Sequence, residues 1–98
     1  MQRLRANQRM ETYRVRVTGK VQGVGYRHAT VRQAHELKVT GWVMNLDDGS
    51  VEAVVQGDPD QVDRMLQWMR MGPPAARVAE LETAECATTR RYPHFERR

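Results

Sequence analysis

From Thr12 the chain alternates, with Tyr13, Val15 and Val17 apolar and Arg14, Arg16 and Thr18 polar between them. Successive side chains of a strand leave on opposite sides, so this period of two predicts a strand with one buried face. Gly19 closes it and opens Gly19-Lys20-Val21-Gln22-Gly23-Val24-Gly25, a turn with three glycines in seven residues. Tyr26 to Lys38 then fits a helix, because Tyr26, Thr30, Ala34 and Leu37 recur at spacings of four, four and three and so share one side. Val39 to Asp47 returns to strand composition, Asp48-Gly49 is a tight hairpin signal, and Ser50 to Gln56 alternates again through Val51, Ala53 and Val55. These two strands are expected to be antiparallel neighbours. The second helix is the best marked element. Asp58 can cap it, Pro59 suits its first turn, and Gln61 stands where a capping-box partner belongs. Val62, Met65, Leu66 and Met69 give the 0, 3, 4, 7 spacing of a buried stripe, and Gly72-Pro73-Pro74 ends it. Arg77 to Thr83 predicts a last long strand, and Arg91 to Arg98 at most a short edge strand around Tyr92 and Phe95.

Strand, helix, strand, strand, helix, strand is the order of the ferredoxin-like α+β sandwich, βαββαβ, in which two helices cover one face of a four-stranded antiparallel sheet. A chain of 98 residues has room for one such core. The expected organisation is a flexible basic tail over residues 1–11 and a folded domain over residues 12–98.

Composition narrows the function. No apolar run approaches the ~18–20 residues of a membrane span, and the Arg-rich start lacks the apolar stretch of a secretory signal. A cytoplasmic protein with no membrane association is expected. Cys86 is the single cysteine, so neither an intramolecular disulfide nor a multi-cysteine metal site can form. The net charge is +4, but residues 1–38 set nine Lys and Arg against Glu11 and Glu36, a net +7, while residues 39–98 set seven Arg against ten acids, a net −3. Between Val39 and Asp63 there are six acidic residues and no basic one, a stretch that repels phosphates. This argues against a long polyanion groove and leaves room for a small local anion site.

The glycine-rich turn before the first helix lets backbone N–H groups converge at the positive end of a helix dipole. Glycines also simply turn a chain, so this signal alone leaves both readings open. The standard phosphate motifs are absent: Gly19-Lys20 is followed by Val21 rather than Ser or Thr, and position 28 is His28 rather than a third glycine after Gly23 and Gly25. Arg27 favours the anion reading. A cation in the first turn opposes the helix dipole by roughly 0.3–1 kcal/mol unless an anion sits beside it, and a guanidinium grips two phosphate oxygens in a planar fork. The plainer reading is a surface ion pair with Glu11 or Glu36.

The stretch Val17-Thr18-Gly19-Lys20-Val21-Gln22-Gly23-Val24-Gly25-Tyr26-Arg27 resembles the first signature of the acylphosphatase family. Gly41-Trp42-Val43-Met44-Asn45, continuing through Gly49, Val51 and Gly57, resembles the second, and the resemblance covers roughly residues 12–83. It implies the ferredoxin-like fold and metal-independent hydrolysis of acyl phosphates to carboxylate and inorganic phosphate. It also implies that Arg27 and the backbone amides of Gln22, Gly23, Val24, Gly25, Tyr26 and Arg27 hold the phosphoryl group, and that Asn45 holds the attacking water. Tyr26 departs from the family's usual Phe; its ring can still pack, its hydroxyl needs a partner, and the change is expected to tune activity rather than abolish it. No cofactor, no metal and a monomer acting on a small acyl phosphate are expected.

Other residues point elsewhere only weakly. His28 and His35 lack acidic or cysteine partners at metal-ligand spacing, and His94 lies in the irregular tail. Asp47 and Asp48 fit turn chemistry better than a carboxylate pair. Met65 and Met69 fit core packing better than a ligand surface, and Trp42 and Trp68 fit packing better than stacking platforms. The competing function is a non-catalytic ferredoxin-like module binding RNA or an anionic metabolite, although the basic-Gly-aromatic pattern of RNA-binding sheets is absent.

Overall fold

A computed structural model of the chain describes residues 10–98. Most of the expected basic tail therefore lies outside the described residues. The elements are β1 (Glu11–Lys20), α1 (Tyr26–Leu37), β2 (Thr40–Asn45), β3 (Val51–Gly57), α2 (Pro59–Met71), β4 (Arg77–Glu85) and β5 (Phe95–Arg97). They form one sheet of order β4-β1-β3-β2-β5. The fold is the expected α+β, ferredoxin-like one, with one correction: the sheet has five strands, and the fifth runs parallel to β2 through Gly41↔Phe95 and Val43↔Arg97. A single buried aromatic, Phe95, anchors this edge to the core, and the Arg98 N–H donates to the Val43 carbonyl at 2.8 Å.

The strand alternation sorts the two faces as the sequence predicts. Val15 and Val17 of β1, Val43 of β2 and Val51, Ala53 and Val55 of β3 are buried together with Tyr26 and Ala34 of α1 and Val62, Met65 and Met69 of α2. Leu37 and Leu66 sit at the edge of this core, half-buried. Asp58 caps α2 by accepting from the Asp60 N–H at 3.1 Å, so the cap closes onto Asp60 rather than through Gln61. β4 runs to Glu85 and pairs only with β1, as an edge strand, which explains why Val78 and Leu81 stay half-exposed.

The segment joining β4 to β5 is fastened by one buried polar side chain on the face away from the helices. Gln56 donates through Nε2 to Thr12 Oγ1 at 2.9 Å and to the Arg90 carbonyl at 2.8 Å, and its Oε1 accepts from the Tyr92 N–H at 3.0 Å. A buried amide is tolerated only when its donors and acceptor are satisfied, and here they are. No helix among the described residues is long and apolar enough to cross a membrane.

Candidate active site

The turn after β1 folds back so that α1 begins at Tyr26. Gly25 stands at its N-cap with φ 80°, and Gly23 before it has φ 74°. An added Cβ at either position would meet nothing within 4 Å, so glycine is required by the backbone angle rather than by crowding. No side chain caps the helix, and its first turn carries no acid. The leading N–H groups of a helix have no partner within it, so the start of α1 presents unclaimed donors together with the positive end of its dipole.

Arg27 enters from the first turn of α1. Neither Glu11 nor Glu36 pairs with it; Nη1 donates instead to the main-chain oxygen of Arg98 at 2.8 Å. That contact brings the end of β5 against the loop and steers the guanidinium. Asn45 ends β2. Its Oδ1 is buried and, alone among buried side-chain oxygen and nitrogen atoms of the described residues, accepts no hydrogen bond. An orphaned acceptor of this kind costs about 1–3 kcal/mol, a cost that a water or ligand O–H would offset.

Gln22 fixes the two parts relative to each other. Its Nε2 donates to the carbonyls of Leu46 and Ser50, both at 2.8 Å, which pins the loop to the hairpin just past Asn45. The hairpin itself is rigid: Asp48 Oδ1 accepts from the Ser50 N–H and hydroxyl, and Asp48 also pairs with Arg16. The Ser50 bonds, with the Arg16 charge beside them, hold the exposed Asp48 carboxyl below the usual carboxylate range. Asp47 and Asp48 therefore belong to the turn.

Val21, Gly23, Gly25, Tyr26, Arg27, His28, Asn45 and Arg97 line one shallow depression of about 190 Å³. Of the residues singled out from sequence, Gly23, Gly25, Tyr26, Arg27 and Asn45 meet there. The Gln22 side chain turns away to its bracing role, and Val24 packs against the core. Arg97 was missed, because a run of arginines at the end of a chain reads as solvated charge. His28 reaches the rim, whereas His35 lies two turns along α1. No group of three or more His, Cys, Asp or Glu that could hold a metal ion occurs among the described residues.

Tyr26 also ties the site to α2. Its hydroxyl is buried and donates to the Met69 carbonyl at 2.7 Å, one of the carbonyls that the end of α2 leaves open. Burial pushes the phenol pKa well up, so it remains a donor. The ring leans on Trp68, centroids 6.0 Å apart. Tyr26→Phe keeps the ring and strips the bond, so denaturant unfolding should show a loss of about 0.5–1.5 kcal/mol while kcat stays within about twofold.

A profile of the acylphosphatase family matches residues 13–97. The chain belongs to the acylphosphatase family. It is 67% identical over 90 residues to the acylphosphatase of Paraburkholderia xenovorans (strain LB400), covering 92% of this chain and 93% of that relative. Among solved structures it is similar to an acylphosphatase from Coxiella burnetii, with TM-score 0.86 and 38% identity over 91% of this chain and 93% of that one. An acylphosphatase from Bacillus subtilis gives TM-score 0.85 and 31% identity over 88% and 96%. The competing RNA-binding reading finds little to use: Trp42 lies beneath the Arg98 guanidinium, 4.7 Å from its ring centroid, and Arg14 and Arg16 are paired with Glu52 and Asp48.

Proposed function

We propose that the chain hydrolyses the carboxyl–phosphate bond of a small acyl phosphate, releasing a carboxylate and inorganic phosphate without a metal or cofactor. One observation carries the mechanism: unclaimed helix N–H groups, a guanidinium and an amide oxygen without a partner border the same depression. The phosphoryl group rests on the amides of Gln22 to Arg27 and on the Arg27 fork. Charge that spreads over its equatorial oxygens in the transition state meets donors already in position. Asn45 orients water in line with the bond that breaks.

The leaving group explains why so few parts suffice. A departing carboxylate has a conjugate acid of pKa about 4–5, like Asp or Glu side chains, and needs no general acid. Asn45 cannot take a proton, so as the water oxygen bonds to phosphorus its proton passes to a phosphoryl oxygen. The P–O bond electrons leave with the carboxylate. The scheme needs groups from one chain only, so a monomer suffices for it; residues 12–98 would be the catalytic domain, acting in the cytoplasm.

The test is hydrolysis of benzoyl phosphate by purified protein in excess EDTA, followed as release of benzoate. The expected result is turnover indifferent to EDTA. A strict metal requirement would overturn the mechanism, and an inert protein that binds RNA with a steep salt dependence would replace it with the binding module.

A further inference from the structure

We propose that Arg97 is a second phosphate-binding arginine of this site, contacting the same phosphoryl group as Arg27 from the side on which water enters. The inference rests on the proposed function. β5 alternates like any strand: Phe95 is buried under the helices, while Arg98 stacks over Trp42 on the opposite face. Arg97 therefore falls on the helix-covered side, next to its register partner Val43 and on the same side as Asn45 two residues further along β2. It lines the depression together with Arg27, His28 and Asn45.

Charge supports the placement. The lining of the depression contains two arginines and a histidine but no carboxylate. The single acid of β5, Glu96, is bound by Arg98 at 2.8 Å and His94 at 3.3 Å. Arg97 forms no ion pair among the described residues, and residues 1–9 contain no Asp or Glu that could supply one. Two guanidinium groups facing one small depression repel each other unless an anion lies between them. In an in-line displacement the leaving group departs opposite the water, so a residue on the Asn45 side meets phosphoryl oxygens and not the acyl group. The rival reading is that Arg97 only keeps a sheet edge charged and unpaired.

Calorimetric titration of the full chain with inorganic phosphate separates the two. Arg97→Gln should weaken phosphate binding about tenfold, the loss of one partly solvated charge-assisted hydrogen bond, and Arg97→Lys should restore part of it. With benzoyl phosphate the Gln variant should raise KM by a similar factor and lower kcat less, as uniform binding requires. Acetyl and benzoyl phosphate should suffer equally. An unchanged phosphate Kd in Arg97→Gln, with wild-type hydrolysis intact, would overturn the role of Arg97 alone. Phosphate binding that depends on Arg97 in a protein hydrolysing no acyl phosphate would uphold that role and overturn the enzymatic reading.

Discussion

Arg27→Lys should lower kcat for benzoyl phosphate by about 10²–10³-fold, the range seen when one preorganised donor is removed from a developing oxyanion. Lysine keeps the charge, so the loss measures the planar fork that grips two phosphoryl oxygens at once. The fold should hardly respond. Arg27 is only half-buried, its single protein bond goes to the main-chain oxygen of Arg98, and a cation in the first turn of α1 works against the helix dipole. Thermal unfolding of Arg27→Gln should accordingly show a Tm equal to or above that of the parent, with activity almost gone. Under the proposed mechanism such a residue is explained by what it binds and not by what it stabilises. An Arg27→Lys variant with full activity would remove this arginine from the mechanism.

Asn45→Ala should lose about 10²-fold or more in kcat with KM changed far less, because a positioned water is valued in the transition state more than in the bound substrate. Here stability should rise or hold. The Asn45 Oδ1 is a buried acceptor that no protein donor meets, and removing an unsatisfied group relieves its desolvation cost. Asn45→Asp is the sharper companion: it preserves size but puts negative charge beside the phosphoryl group, so phosphate affinity should fall as well. Steady-state kinetics with phosphate as competitive inhibitor reads both. An alanine variant that loses KM and keeps kcat would make Asn45 a substrate contact instead of the holder of the water.

Most of the framework is legible in the residues because its determinants are local. Val15 and Val17 announce a strand, Asp58 and Pro59 a helix start, and Asp48 with Gly49 a hairpin, each through a neighbour a few positions away. β5 has no such signal. Phe95 is one apolar residue among charges, and its parallel pairing with β2 is decided by the core pocket it fills and by the Gln56 bonds that route the preceding segment. The site divides in the same way. The glycine loop and Arg27 can be read in sequence because helix dipoles and left-handed backbone have residue preferences, and Asn45 came from motif resemblance. Gln22 shows the limit: its position in the loop pointed to a backbone donor, and only the fold reveals a side chain 2.8 Å from two carbonyls of a distant hairpin. Arg97 required both strand alternation and register before its side of the sheet was defined.

The contact between Arg27 and the main-chain oxygen of Arg98 links residues 71 positions apart. Loop-closure entropy must be met before such distant contacts reward it, and β5 is the shortest strand of the sheet and pairs with β2 alone. A chain with β1 to β4 in place but β5 still undocked would own its core short of Phe95 and an untethered arginine. Hydrolysis would then report the docking of the last strand, and a refolding population judged native by its core would be counted again, more strictly, by its turnover.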